Sequence, residues 1–146
     1  LRVSTSGYGN TAIGDLSLNN NLTGNCNVGI GSEAILYNEN GSFNTIIGYQ
    51  ARYGTIWNSI HGNVFLGYQA GYGEAGNNKL YIDNSSTAFP LIYGEFEKDK
   101  ITIHDVLRLA PRETEPSIPG EGELYVNSID HHIYYFLNGV WKQLDN

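Results

Sequence analysis

The chain has 146 residues, enough for one ordinary domain or two small ones. Its net charge of −7, with no Lys/Arg cluster, excludes a nucleic-acid backbone or an anionic membrane as the expected partner, since both would be repelled. A single cysteine, Cys26, excludes an intrachain disulfide, and no apolar run approaches the ~20 residues of a membrane helix, so no membrane insertion is expected in this segment.

Methionine is absent, position 1 included, which suggests a fragment or a processed chain. Glycine and charge are distributed in opposite senses. Fourteen of 18 glycines precede Lys79, whereas 17 of 23 charged residues lie from Lys79 onward, and this shift places an organisational boundary near residues 76–79.

The stretch before Lys79 carries four copies of one pattern: Asn, two residues, an aliphatic residue, Gly. The copies are Asn10 to Gly14, Asn27 to Gly31, Asn44 to Gly48 and Asn63 to Gly67. The first two intervals are equal, and the third is two positions longer. Ala follows three residues after the last three glycines, at Ala34, Ala51 and Ala70, and Ser17 stands there in the first copy. A fixed short period means a repeat architecture whose units bury their apolar faces only against neighbours. Helical periodicity is poor, and each interior Gly would cost a helix about 1 kcal/mol. The apolar residues alternate instead, which gives each repeat a strand of about four or five residues stopped by Gly, with second short strands over Ala34–Tyr37 and Ala51–Tyr53.

Identical strands at a fixed period stack most simply as coils of a parallel β-solenoid. On that reading the recurrent asparagines form a side-chain ladder, the glycines supply φ > 0 at corners, and Cys26 is a half-buried repeat residue. Four thin coils bury too little surface to stand alone and need caps or partner chains.

From Lys79 the pattern becomes alternating strands. Leu80–Asp83, Leu91–Phe96 and Ile101–His104 read as strands, with a hairpin turn at Glu97-Lys98-Asp99-Lys100, and Val106–Leu109 as a further short strand. Residues 111–122 hold three of the four prolines and read as a linker. Glu123–Val126, His132–Leu137 and Val140–Leu144 form a three-stranded meander, whose last turn, Asn138-Gly139, carries the type I′ signal; Trp141 and Phe136 pack across that pair. The expected organisation is therefore all-β: a β-roll over 1–78, a hairpin connector over 79–110, a Pro/Gly-rich linker over 111–122 and a meander over 123–146.

No catalytic constellation is present, and the G-x-S-x-G elbow is absent. His131 and His132, if on a strand, face opposite ways and cannot chelate one ion within one chain. The pairs Glu95 with Glu97 and Glu121 with Glu123 sit beside turns and read as solvated rather than as a glycosidase pair. No cofactor or metal is expected. The third connection, from Tyr53 to His61, is two residues longer than its counterpart. Tyr53, Trp57, Asn58 and His61 in it have the flat apolar faces and polar handles suited to sugar or protein contact, the other reading being that Ile56, Trp57 and Ile60 cap an inter-chain core beneath the loop.

The Asn-x-x-aliphatic-Gly core of NTAIG and NTIIG resembles the β-roll heads of YadA-type trimeric autotransporter adhesins. The GYQA extension at Gly48–Ala51 and Gly67–Ala70 is similar to phage tail-fibre and bacterial surface-fibre proteins, as are NNKLYIDNSSTAFPLIYGEFEKDKITIH and GELYVNSIDHHIYYFLNGVWKQL. The coils here are longer than the adhesin repeat, so a collagen-binding role is not carried over. The resemblance implies a parallel homotrimer outside the cell, on a virion tail or a bacterial surface. It also disfavours use of the sequons at Asn21, Asn40 and Asn84. The expected function is non-enzymatic: fibre extension and attachment to a host-cell surface glycan or protein. The alternatives are a bacterial adhesin head, a polysaccharide depolymerase fragment and a spacer without ligand.

Overall fold

A computed structural model of the chain describes residues 6–54 and 58–144. Among the described residues there is no α-helix, and two compact units divide the chain, Leu1–Asp105 and Val106–Asn146.

In the first unit each repeat contributes one strand: β1 Thr11–Ile13, β2 Val28–Ile30, β3 Thr45–Ile47 and β4 Val64–Leu66. They pair in parallel with identical register, Ile13 opposite Ile30, Ile30 opposite Ile47 and Ile47 opposite Leu66. The stack is a parallel β-solenoid of about four turns. The compositional change at 76–79 falls inside this unit, because β5 (Lys79–Ile82) pairs in parallel with β4 and continues the stack. The antiparallel strands β6 (Ile92–Glu95) and β7 (Lys100–Ile103) then complete a seven-stranded sheet in chain order. Their connection is the Glu97–Lys100 turn expected from the sequence, built as a 3-10 turn over Phe96–Lys98 and ended by Asp99 at φ 49°.

The asparagines form the ladder that their spacing suggests. Asn44 Oδ1 accepts from the backbone N–H of Asn63 (3.1 Å) and from its Nδ2 (3.1 Å). Asn44 Nδ2 in turn donates to Asn27 Oδ1 (2.8 Å) and to the Ile60 carbonyl (2.8 Å). Asn10, Asn27 and Asn63 repeat the scheme, and Lys79 N–H closes it on Asn63 Oδ1 (2.9 Å). Asn27, Asn44 and Asn63 are fully buried, so every one of these bonds replaces a hydration that the interior cannot supply.

Gly14, Gly31, Gly48 and Gly67 are corners with φ of 119°, 125°, 145° and 123°. A second constraint accompanies the dihedral. A Cβ on Gly14 would lie 2.7 Å from the Gly31 carbonyl oxygen, and one on Gly48 would press into the Gly67 carbonyl oxygen. Glycine is therefore required both for its conformation and for close approach of the coil above.

The segments after the corners are not the second strands expected over Ala34–Tyr37 and Ala51–Tyr53. Alternate residues there are left-handed: Glu33, Ile35 and Tyr37 at 59°, 54° and 63°, Gln50 and Arg52 at 52° and 46°. This alternation turns successive N–H groups toward opposite neighbours. Glu33 N–H reaches Asp15 O below (2.7 Å), whereas Ile35 N–H reaches Ala51 O above (3.2 Å). Each non-Gly left-handed residue costs about 1–2 kcal/mol, and the inter-coil hydrogen bonds offset it. Cys26 is another left-handed residue (φ 55°). It is exposed rather than half-buried, in register with the equally exposed Phe43.

Leu18, Ile35, Ile46, Ala51, Ile60, Phe65, Ala70 and Tyr81 form the core. The middle strand residue points inward, and its size is matched across the coil. Gly29 makes room for Leu18 and Ile35, while Gly71 makes room for the Phe65 ring. Ser17, replacing the recurrent Ala, is buried and donates to the Gly29 carbonyl (2.8 Å).

The second unit is the expected meander of β8 (Leu124–Val126), β9 (Ile133–Leu137) and β10 (Val140–Gln143). Asn138 and Gly139 have φ of 54° and 75°, both positive as a type I′ turn needs. Glu121 accepts from both of their N–H groups, and Trp141 packs edge-on to Phe136 (5.2 Å) and Tyr125 (4.7 Å). Two expectations differ. Val106–Leu109 is irregular, its residues lacking a paired neighbour strand, and His132 precedes β9 rather than opening it. The 111–122 segment is tied to the meander at both ends: Arg112 N–H bonds Val126 O (2.9 Å) and Ser128 N–H bonds Arg112 O (2.9 Å) at its start, and Gly122 N–H bonds Phe136 O (2.9 Å) at its end.

Asn44→Ala should lower the unfolding free energy by about 3–5 kcal/mol, since it strands several buried partners at about 1–3 kcal/mol each. Asn44→Asp should be equally damaging at neutral pH, where its carboxylate faces the Ile60 carbonyl. It should recover in part as acidification toward pH ~4 restores a donor. Denaturant titrations at pH 7 and 4 check both outcomes.

Gly48→Val should cost more than the ~1–2 kcal/mol of left-handed strain alone, because its Cβ also meets the next coil. Gly139→Ala, equally left-handed but with open space around it, should cost about 1 kcal/mol. Far-UV dichroism follows the first variant and Trp141 fluorescence the second. An unchanged Gly48→Val midpoint would contradict the corner.

Candidate functional site

Of the four residues singled out in the third connection, Trp57 lies outside the described residues. The other three are each engaged in scaffolding. Tyr53 is half-buried, edge-on to Tyr37 (5.9 Å) and stacked on Tyr72 (5.4 Å, 8° between planes). A hydrogen bond with Tyr37 raises its phenol above the ordinary value. His61 is exposed, but it is a rung of a second ladder. Its Nδ1 accepts from Ser42 N–H (3.2 Å), and its own N–H donates to Asn77 Oδ1 (2.8 Å). The same column continues downward through Asn25 N–H to Ser42 Oγ (2.9 Å) and Tyr8 N–H to Asn25 Oδ1 (2.9 Å). Ile60 is fully buried in the interior of the coil itself, and Ile56, like Trp57, lies outside the described residues.

Asn58 is held by a residue that sequence reasoning passed over. Arg52 occupies the coil position filled by Leu18 and Ile35, and is fully buried. Its guanidinium donates to the carbonyls of Leu36 (3.1 Å), Tyr37 (3.3 Å) and Asn58 (2.9 Å), and to Asn58 Oδ1. Burial lowers its pKa to about 10 against the opposing pull of Glu74. The lengthened connection is thus fastened from within by a cation bonded to main-chain carbonyls. The signal available in sequence was a charged residue at a core position of the repeat.

A more extensive feature is the outer face of the sheet. With the middle strand residue pointing in, the residues on either side point out. Ile13, Ile30, Ile47, Leu66 and Ile82 form one column on β1–β5, and register carries it onto Ile92 and Ile103. Seven strands at ~4.8 Å make this aliphatic column about 29 Å long. Thr11, Val28, Thr45, Val64 and Leu80 run beside it. Ile13 is 58% exposed, Ile47 38% and Ile101 67%, and the stacked pair Tyr49 and Tyr68 (5.7 Å) also lies in solvent. The repeat makes the alternation legible, but not which side of it is the core.

The paired carboxylates have separate duties. Glu95 takes Lys98 (2.7 Å) and Lys79 (3.2 Å), which hold its carboxyl below the ordinary range, and Glu97 accepts from Asn78 Nδ2 (2.7 Å). Glu121 serves the Asn138-Gly139 turn. Among the described residues no three His, Cys, Asp or Glu side chains gather as a metal set. Among the described residues no helix is long and apolar enough to cross a membrane. No family model, curated protein or solved structure matches the chain.

Arg52→Leu restores the aliphatic side chain of the earlier coils while releasing three carbonyls. It should leave the strand stack folded and open the third connection to protease. Limited proteolysis read by mass spectrometry should find new cleavage within residues 53–60, and wild-type resistance there would refute the fastening role.

Proposed function

We propose that this chain is a segment of a trimeric, non-catalytic fibre that extends from a virion tail or a bacterial surface and attaches to a host cell. The observation that carries the reading is the aliphatic outer face. A column of isoleucines and leucine crossing seven strands is costly to leave in water, at about 25 cal/mol per Å² of apolar surface, and contiguous exposed apolar patches mark association surfaces. A second copy of the chain offers the matching surface, since register places one aliphatic residue per ~4.8 Å along the stack. Copies packed in parallel around an axis can then bury the column at every level. The resemblance to YadA-type heads and tail fibres supplies the number three.

Extension follows from the same geometry, because each coil adds one strand of height and repeats its ladder bonds. The engagement of Glu95, Glu97 and Glu121 in structural contacts favours the non-catalytic reading over a depolymerase, which needs paired carboxylates facing a substrate. Attachment chemistry belongs to connections and turns, since the coil strands are committed to stacking.

Light scattering should give about three times the 16.1 kDa chain mass, with thermal stability rising with chain concentration. Ile47→Asp, on the outer face and away from the core, should shift the protein to a folded monomer. A wild-type monomer stable at micromolar concentration would overturn the reading.

A further inference from the structure

At the far end of the solenoid the tyrosine column stops. Tyr53 stacks on Tyr72, but the same count from β5 falls on Ala88, so no third ring follows. Beside Tyr72 the chain leaves a concavity of about 360 Å³, lined by Tyr72, Glu74 and Tyr81 together with Ser86, Thr87 and Ala88. Its size is within the range of small-ligand sites. We propose that this cleft binds a neutral saccharide, with Tyr72 as the aromatic platform and Glu74 as the hydroxyl acceptor; the biological role rests on the attachment reading above, and the binding chemistry does not.

Three features select that ligand class. Tyr72 has one face against Tyr53 and borders the cleft with the rest of its half-exposed ring, and a flat apolar surface of this kind suits the C–H face of a pyranose. The Glu74 carboxylate is positioned in advance. Its Oε1 accepts from Gly76 N–H (2.6 Å) and its Oε2 from the Tyr81 hydroxyl (2.7 Å), which leaves each oxygen a further lone pair for a sugar hydroxyl. Burial, followed by the bond to Glu74, raises the Tyr81 phenol, so Tyr81 remains the donor and Glu74 the acceptor. Ser86 and Thr87 also line the concavity, and their hydroxyls can donate even where, as at Thr87, one already accepts from Phe89 N–H (3.1 Å).

Charge excludes the acidic alternatives. No lysine or arginine lines the cleft, a carboxylate occupies it, and the chain carries −7 overall. A uronic or sialic acid would be repelled there.

The test uses saturation-transfer NMR and calorimetry on the whole chain with maltotriose, chitotriose, lactose and mannotriose, and with sialyllactose as the acidic comparison. At least one neutral saccharide should bind and sialyllactose should not. Tyr72→Ala should weaken that binding at least tenfold, Tyr72→Phe should retain it, and Glu74→Gln should weaken it with the fold intact by dichroism. Binding by none of the neutral saccharides, or a Tyr72→Ala variant that binds as wild type, overturns the inference. Light scattering on the same samples separates the two readings. A monomer that binds sugar sinks the fibre and keeps the cleft, and a trimer that binds none does the reverse.

Discussion

A buried side-chain amide in each coil, bonded to the same amide one coil away, is the constraint on which the solenoid depends. An asparagine has two donors and an acceptor oxygen with two lone pairs, and in this stack Asn44 uses all four. No other residue does this in the same volume: aspartate lacks the donors, and glutamine is longer by a methylene. Because each amide also accepts an N–H at the start of the next strand, the ladder sets where β2 to β5 begin. Register, which in a thin three-residue strand is weakly fixed by side-chain pattern alone, is thereby fixed by polar chemistry.

Given that register, the rest of the coil has little freedom. The corner glycines stack on one another so closely that a Cβ at any of them would strike the next coil. Tight corners then force the curled, alternately left-handed turns, and these are tolerated because reversed peptides such as those at Glu33, Ile35, Gln50 and Arg52 find partners in the coil above or below. Further columns follow at the same spacing, such as Glu33–Gln50–Gln69, joined at 2.6 and 2.8 Å, and Tyr8–Asn25–Ser42–His61–Asn77. One cross-section is thus repeated, and departures from it mark where the repeat does something else.

Two departures stand out. Arg52 replaces a core aliphatic residue and ties Asn58 of the lengthened third connection to the carbonyls of the preceding coil. Where Tyr72 loses its successor, the coil pattern ends and a cleft opens against the 86–88 segment. The outer face departs in neither respect: its aliphatic column continues across all seven strands, including the two that run antiparallel. A surface kept apolar through a change of topology argues for a partner rather than for the internal needs of the roll.

The solenoid, the strand ahead of each corner glycine, the asparagine ladder, the left-handed glycines and the Asn138-Gly139 hairpin were all legible in the sequence. Each depends on a local rule that a repeat or a turn states in a few residues. The sequence did not show that the middle strand residue faces inward, because alternation has two sides and only closure of the coil selects one. Nor did it show the turns after each corner, where Glu33, Ile35 and Arg52 adopt a conformation their residue types disfavour and only neighbouring coils stabilise. The compositional break at 76–79 suggested an end to the stack, yet Asn63 still had an acceptor to offer and β5 took it. Tyr53, Asn58 and His61 could be read in the sequence only as separate side chains. Their contacts with Tyr72, the Arg52 guanidinium and Ser42 come within reach only once the coils are stacked.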